Sequence, residues 1–128
     1  MPEVKVEMQL PLGRLTLRPE VLAGIVGKAV DRMEGVRLWQ PRRFVGVLSS
    51  ESGVELESPE PGTIDVNVKI AVMYGYPVHE VAQGVQQAVR EALEGLAGVK
   101  ARVNVYVQDV FLPEVEMEGG ENGAARGN

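Results

Sequence analysis

Residues 63–77 read Thr-Ile-Asp-Val-Asn-Val-Lys-Ile-Ala-Val-Met-Tyr-Gly-Tyr-Pro. Ile64, Val66, Val68, Ile70 and Val72 fall on alternate positions, with Asp65, Asn67 and Lys69 between them. Successive side chains of a strand point to opposite faces, so this period predicts a strand from Thr63 to Met73 with one dry and one wet face. After the corner at Tyr74 to Pro77 the period lengthens. Val78, Val81, Ala82, Val85, Val89, Ala92, Leu93 and Leu96 recur at three and four residues, which predicts one stripe of an amphipathic helix ending near Gly95. Val103, Val105 and Val107 then restore alternation and predict a second strand. This strand, helix, strand unit contains no recognisable chemistry.

Upstream, Val4, Val6, Met8 and Leu10 alternate with charged and polar residues, Pro11-Leu12-Gly13 makes a turn, and Leu15 and Leu17 alternate again. Two short strands, paired as a hairpin, are expected. Pro19 suits a first helical position because its missing N–H has no partner there, and Leu22, Ile25, Val26, Ala29, Val30 and Met33 continue at helical spacing until Gly35 stops them. Neither helix has Ser, Thr, Asp or Asn immediately before its proline, so packing must hold both in place. Arg37 to Gly46 reads as an irregular connection, Val45 to Leu48 as a short strand, and residues 54–57 as a hairpin partner of the long strand across a turn at Ser58 to Gly62.

The resulting order is β-α-β twice, preceded by an extra N-terminal strand. Right-handed crossovers would place both helices on one face of a mixed or antiparallel sheet, an α+β fold of the split βαβ, ferredoxin-like βαββαβ type. Residues 1–112 form one such domain in this reading. Pro113 ends the last strand, and residues 113–128 hold too little apolar content to repay ordering, so a disordered acidic tail is expected.

With 128 residues the chain is long enough for one self-sufficient core. The absence of cysteine excludes disulfides, thiolate metal sites and cysteine nucleophiles. No apolar run approaches the ~20 residues of a membrane helix, and Met1 to Leu10 does not read as a signal peptide, so a cytoplasmic protein without direct membrane insertion is expected. The net charge is −5, of which −3 falls in the last sixteen residues. A nearly neutral body disfavours nucleic acid as a partner, because such binding normally rests on a basic excess.

Among candidates for chemistry, Gly24-Ile25-Val26-Gly27-Lys28 invites comparison with the Gly-x-x-Gly nucleotide clamp of KH domains, and with Arg42-Arg43 it carries an alternative reading as an RNA-binding module. Close packing of the two glycines against the sheet is the preferred reading. His79, the sole histidine, reads as a surface residue with no partners for a triad or zinc site, and Glu51, Glu55, Glu57, Glu60 and Asp65 read as solvent-facing charge. No catalytic, metal or cofactor site is predicted. Arg37-Leu38-Trp39-Gln40-Pro41-Arg42-Arg43-Phe44 is the least generic surface stretch, since arginine and tryptophan dominate binding hot spots; a plug beneath the core is the competing reading of Trp39 and Phe44. Arg37, Trp39, Arg42, Arg43, Phe44 and, on the wet sheet face, Tyr106 are the expected partner-binding residues, with Lys69, Ala71 and Met73 beside them.

The succession Gly13-x-Leu15-x-Leu17, Val21-Leu22-x-x-Ile25, Gly35-Val36, Asp65-Val66 through Tyr74-Gly75, Val85-Gln86, Gly98-Val99 and Val103-Asn104-Val105-x-Val107 closely resembles the bacterial alkaline shock protein family of envelope stress response proteins. The resemblance covers residues 13–112. It implies a non-catalytic cytoplasmic protein without cofactors, structural or regulatory in cell-envelope homeostasis, that self-associates as a homo-oligomer and in some members is held near the membrane by an anchored partner protein.

The predicted facing of the helix and strand is directly testable. Val85→Asp should abolish cooperative thermal unfolding by circular dichroism, whereas Asn67→Asp should leave the midpoint nearly unchanged; equal midpoints would refute the assignment of dry and wet faces.

Overall fold

The computed structural model describes residues 5–40 and 53–113. Strands β1 (Val6–Leu10) and β2 (Gly13–Leu17) pair antiparallel as a separate two-stranded sheet. Helix α1 (Pro19–Asp31) and the short strand β3 (Val36–Leu38) follow, then β4 (Val54–Glu60), β5 (Thr63–Met73), α2 (Val78–Ala92, continued by a π-helical turn Leu93–Ala97) and β6 (Lys100–Phe111).

β5 is the hub. Along one edge it pairs antiparallel with β4 and then with β3; along the other it pairs parallel with β6, from Thr63 opposite Lys100 to Met73 opposite Phe111. β3 and β4 are two pieces of one edge that meet at Lys69, whose carbonyl accepts the Trp39 N–H and whose own N–H donates to Gly53 O, both at 2.8 Å. Both helices lie on the same face. Leu22, Val26 and Val30 from α1 and Val81, Val85, Val89, Leu93 and Ala97 from α2 are buried in one cluster with Ile64, Val66, Val68, Ile70 and Val72. Arg18 and Pro77, which precede the two helices, provide no side-chain cap. Each fully buried aliphatic residue contributes about 1.5–3 kcal/mol, and a cap about 1 kcal/mol, so burial outweighs the missing caps.

The sheet is mixed and the fold is α+β, but the strand order departs from the ferredoxin-like expectation. A split βαβ unit needs a strand inserted between β5 and β6, and here they are direct neighbours. Every N–H and C=O along that edge of β5 needs a partner. The twelve-residue β6 matches the eleven-residue β5, whereas β2, with five residues, zips to β1 instead.

Four local expectations also shift. Val36–Leu38 forms a strand where an irregular connection is expected, because three residues are too few to display a period. β4 runs through Ser58 and Pro59, which lie at a register shift between Glu57 and Glu60; proline is tolerated in an edge strand at such a bulge. α2 passes Gly95 to Ala97, and its wider π-helical turn keeps Leu93 and Ala97 on the buried row while turning Leu96 out to 76% exposure. Val78, in the first turn of α2, is likewise exposed. The expected strand at Val45 to Leu48 and the acidic segment from Glu114 onward lie outside the described residues.

Gly35, which closes the turn after α1, has φ +77°, and a Cβ there would lie 2.6 Å from the Tyr76 ring. Gly62, in the turn between β4 and β5, has a similar φ of +81° but open space around it. Gly62→Ala should therefore cost only the left-handed backbone penalty of about 1–2 kcal/mol, and Gly35→Ala distinctly more. Equal losses in urea denaturation would show that the Tyr76 contact is dispensable.

Candidate functional site

The face of the sheet opposite the helices is built in cross-strand rows. Register places Glu57, Asp65 and Arg102 in one row, Glu55, Asn67 and Asn104 in the next, and Lys69 beside Tyr106 in the third. The rows are stitched by short polar contacts: Arg102 to Asp65 Oδ2 at 3.2 Å, Asn104 Nδ2 to Asn67 Oδ1 at 3.0 Å, and Lys69 Nζ to Glu55 Oε2 at 3.2 Å. Lys69 Nζ also lies 5.8 Å from the Trp39 ring centre, so Trp39 belongs to this face and does not plug the core. Farther along, the Arg37 guanidinium sits 4.0 Å above the Phe111 ring, spanning β5 at Ala71, which is only 4% exposed.

Three of the six expected partner-binding residues, Arg37, Trp39 and Tyr106, thus share one face. Arg42, Arg43 and Phe44 lie outside the described residues. Of the neighbours expected beside them, Ala71 is buried and Lys69 and Met73 are half-buried; Tyr106 stands out at 49% exposure. Sequence reasoning missed Phe111 as the partner of Arg37, a pairing legible only once the parallel register is known.

The Gly24 to Lys28 run lies inside the unbroken helix α1, where backbone N–H groups serve the helix and offer no nucleotide clamp. The preferred packing explanation also fails, for a Cβ at Gly24 or Gly27 would meet nothing within 4 Å. The glycine that admits close helix approach is Gly84 on α2, where a Cβ would lie 3.1 Å from Met33 Cε. Gly24 instead borders an apolar groove of about 760 Å³ on the outer surface between the helices. Val21, Ile25, Ala29 and Met33 face Ala88 and Ala92 across it, with Lys28 and Arg32 on the α1 side and Glu91 on the α2 side.

A second exposed feature is the outer edge of β6. The Lys100 N–H donates to Gly62 O, toward β5. Alternate residues of a strand direct their backbone groups to opposite edges, so Ala101, Val103, Val105 and Val107 direct theirs outward. Gln86 of α2 donates its amide to Val103 O at 3.2 Å; among the described residues no strand pairs with this edge. Beside it lies a polar recess of about 460 Å³ lined by Gln83, Gln86, Gln87, Arg90 and Arg102.

His79 is exposed, and no group of three or more His, Asp or Glu residues among those described is placed to hold a metal ion. Glu55 and Asp65 are engaged with Lys69 and Arg102, and Glu57 and Glu60 are exposed; Glu51 lies outside the described residues. None of the described helices is long and apolar enough to cross a membrane.

Comparison with known proteins places these surfaces in a family context. The chain is 32% identical over 107 residues to the uncharacterized protein Spy1614 of Streptococcus pyogenes serotype M6, covering 77% of this chain and 88% of the relative. It is 27% identical over 103 residues to the uncharacterized protein Spy1535 of the same organism, covering 77% and 80%. With the uncharacterized protein YqhY of Bacillus subtilis it shares 25% identity over 103 residues, covering 75% and 76%. A solved MamM-CTD variant aligns with 75% of this chain and 95% of its own at 20% identity, with a TM-score of 0.43, too low to carry an argument. The profile of the alkaline shock protein family, described as having a cell envelope-related function, matches residues 7–112, and the chain belongs to that family.

Proposed function

We propose that this protein is a non-catalytic contact module of cell-envelope homeostasis that associates with copies of itself by extending its sheet at β6. The observation that carries this reading is the outer edge of β6, a long strand that no other strand covers among the described residues and whose outward groups meet only two side chains there, Gln86 at Val103 O and Asp109 at the Val110 N–H. Such an edge is a ready template for strand addition. Its surroundings suit a second copy. In an antiparallel pair centred on Asn104, Val103 would face Val105 of the other copy, Ala101 would face Val107, and Arg102 would face Tyr106. Arg102 and Tyr106 are both exposed, so this pairing gives a guanidinium and a ring to each other twice.

The remaining surfaces fit a contact role better than a reaction centre. The polar recess along β6 presents amides and guanidinium groups without a nucleophile or general base beside them. The bilayer is reached, in this reading, through an anchored protein partner, and the protein acts in the cytoplasm. The exposed faces of α1 and α2 mix Glu20, Lys28, Asp31 and Arg32 with His79, Glu80, Gln83 and Arg90, which is not the Lys-rich belt of an interfacial helix.

Val107 is 38% exposed on the outward edge, so Val107→Lys should leave the fold intact while placing a charge where the second strand must pair. Light scattering of the wild type should show mass rising with concentration, and the variant should remain near the monomer mass with an unchanged circular dichroism spectrum. A wild type that stays monomeric at high concentration, or a variant that assembles equally well, would overturn the reading.

A further inference from the structure

We infer that the groove between α1 and α2 receives the tip of the hairpin of β1 and β2, Leu10-Pro11-Leu12, from a second copy of this chain. The hairpin is anchored at its root and bare at its tip. Val6 is buried, Met8 is half-buried with its Cε 3.0 Å from where a Cβ of Gly98 would lie, Leu10 is 45% exposed and Leu12 is fully exposed. Exposure thus rises as the chain leaves the body, and the turn carries two leucines where polar residues are the rule. The same chain holds the complementary shape, a groove of about 760 Å³ floored by Ile25, Ala29, Met33, Ala88 and Ala92. A projecting apolar tip and an apolar recess elsewhere on one molecule make a heterologous contact between copies.

The borders of the groove orient the tip. Arg14, just past the turn, is exposed and has no ion pair among the described residues, and the Glu91 carboxylate on the α2 wall accepts only the Gln87 amide there. Gln9 lies opposite Arg14 in the hairpin and donates its Nε2 to Gly13 O, which leaves its amide oxygen to accept from Lys28 or Arg32 on the α1 wall. Neither cation forms an ion pair among the described residues. Gly24 supplies depth. It borders the groove, and a Cβ there would meet nothing within 4 Å, so the missing side chain leaves a slot for Leu12 without opening the core. So small a contact does not hold two lone monomers together. It joins pairs already made at β6, each of which offers two tips and two grooves, and to that extent it rests on the strand-addition reading.

The chain's lack of cysteine lets single thiols report the contact. Pro11→Cys keeps both leucines of the tip, and Ala92→Cys places a thiol in the half-buried floor of the groove. Mixed in solution, these two full-length chains should form their mixed disulfide about tenfold faster than Pro11→Cys mixed with Tyr106→Cys, because docking raises the effective concentration of the first pair. The control is demanding, since Tyr106 is more exposed than Ala92. Adding Leu12→Ser to the first chain, or Gly24→Leu to the second, should remove the advantage with an unchanged circular dichroism spectrum; Gly24→Leu also replaces a poor helix former with a good one. In a Val107→Lys background the mixed disulfide should form severalfold more slowly and keep its preference over the control. A preference kept without slowing would support the tip in the groove and count against pairing at β6. Equal rates for the two mixtures, a dominant disulfide between two Ala92→Cys chains, or an advantage indifferent to both blocking substitutions would overturn the inference.

Discussion

β5 has partners on both edges and a helical layer on one face, so its eleven residues are confined in every direction but one. Ile64, Val66, Val68, Ile70 and Val72 are each at most 1% exposed, and a one-residue slip would turn all of them to solvent and bring Asp65, Asn67 and Lys69 beneath the helices. Burying those three without partners would cost several kcal/mol. The register of β5 thereby dictates where β3, β4 and β6 pair and which rows of α1 and α2 face inward. The composite β3 and β4 edge follows from the same constraint: the chain can leave the edge at Trp39 and return at Gly53 because Lys69 alone supplies both junction bonds.

The opposite face is ordered differently. Its rows of Arg102 with Asp65, Asn104 with Asn67 and Lys69 with Glu55 involve exposed or half-buried partners. Exposed pairs of this kind contribute about 0–1 kcal/mol each, so the face adds less to stability than to specificity of strand alignment. Asp65 makes the point most sharply. Its Oδ1 is buried without a hydrogen-bond partner among the described residues, so Arg102 at Oδ2 is the contact that ties the carboxylate to β6. A face whose charges already answer one another is a poor place for a polar ligand, which leaves Tyr106 at the outer strand as its protruding feature.

Periodicity made β5, α2 and most of α1 legible, because long stripes of Val, Ile and Leu have one physical interpretation. It also revealed the β1 and β2 hairpin from Leu15 and Leu17 on either side of polar residues. What it could not supply was the identity of neighbours. The valines of β6 look the same whether β5 or an inserted strand lies beside them, and the choice rests on matching backbone lengths rather than side-chain pattern. The surface candidates were legible to about the same depth: arginine and aromatic residues flagged Arg37, Trp39 and Tyr106, yet Phe111 and the outward edge of β6 emerge only from three-dimensional register. Leu96 was misplaced because a π-helical turn breaks the period from which the stripe is counted.

Gly24 and Gly27 are the residues that the core explains least. Glycine costs about 1 kcal/mol against alanine in a helix interior, and neither site has anything within 4 Å that a methyl group would strike. Nothing within the described fold therefore requires glycine at either position. At Gly24 the open space borders the groove, and there the absent side chain widens the floor. Ala88, Glu91 and Ala92 of α2 face the groove, whereas Gln83, Gln86, Gln87 and Arg90 face the β6 side, so the helix separates the two surfaces along its length. Gln86, on the β6 side of that helix, holds the Val103 carbonyl that an added strand would have to take over.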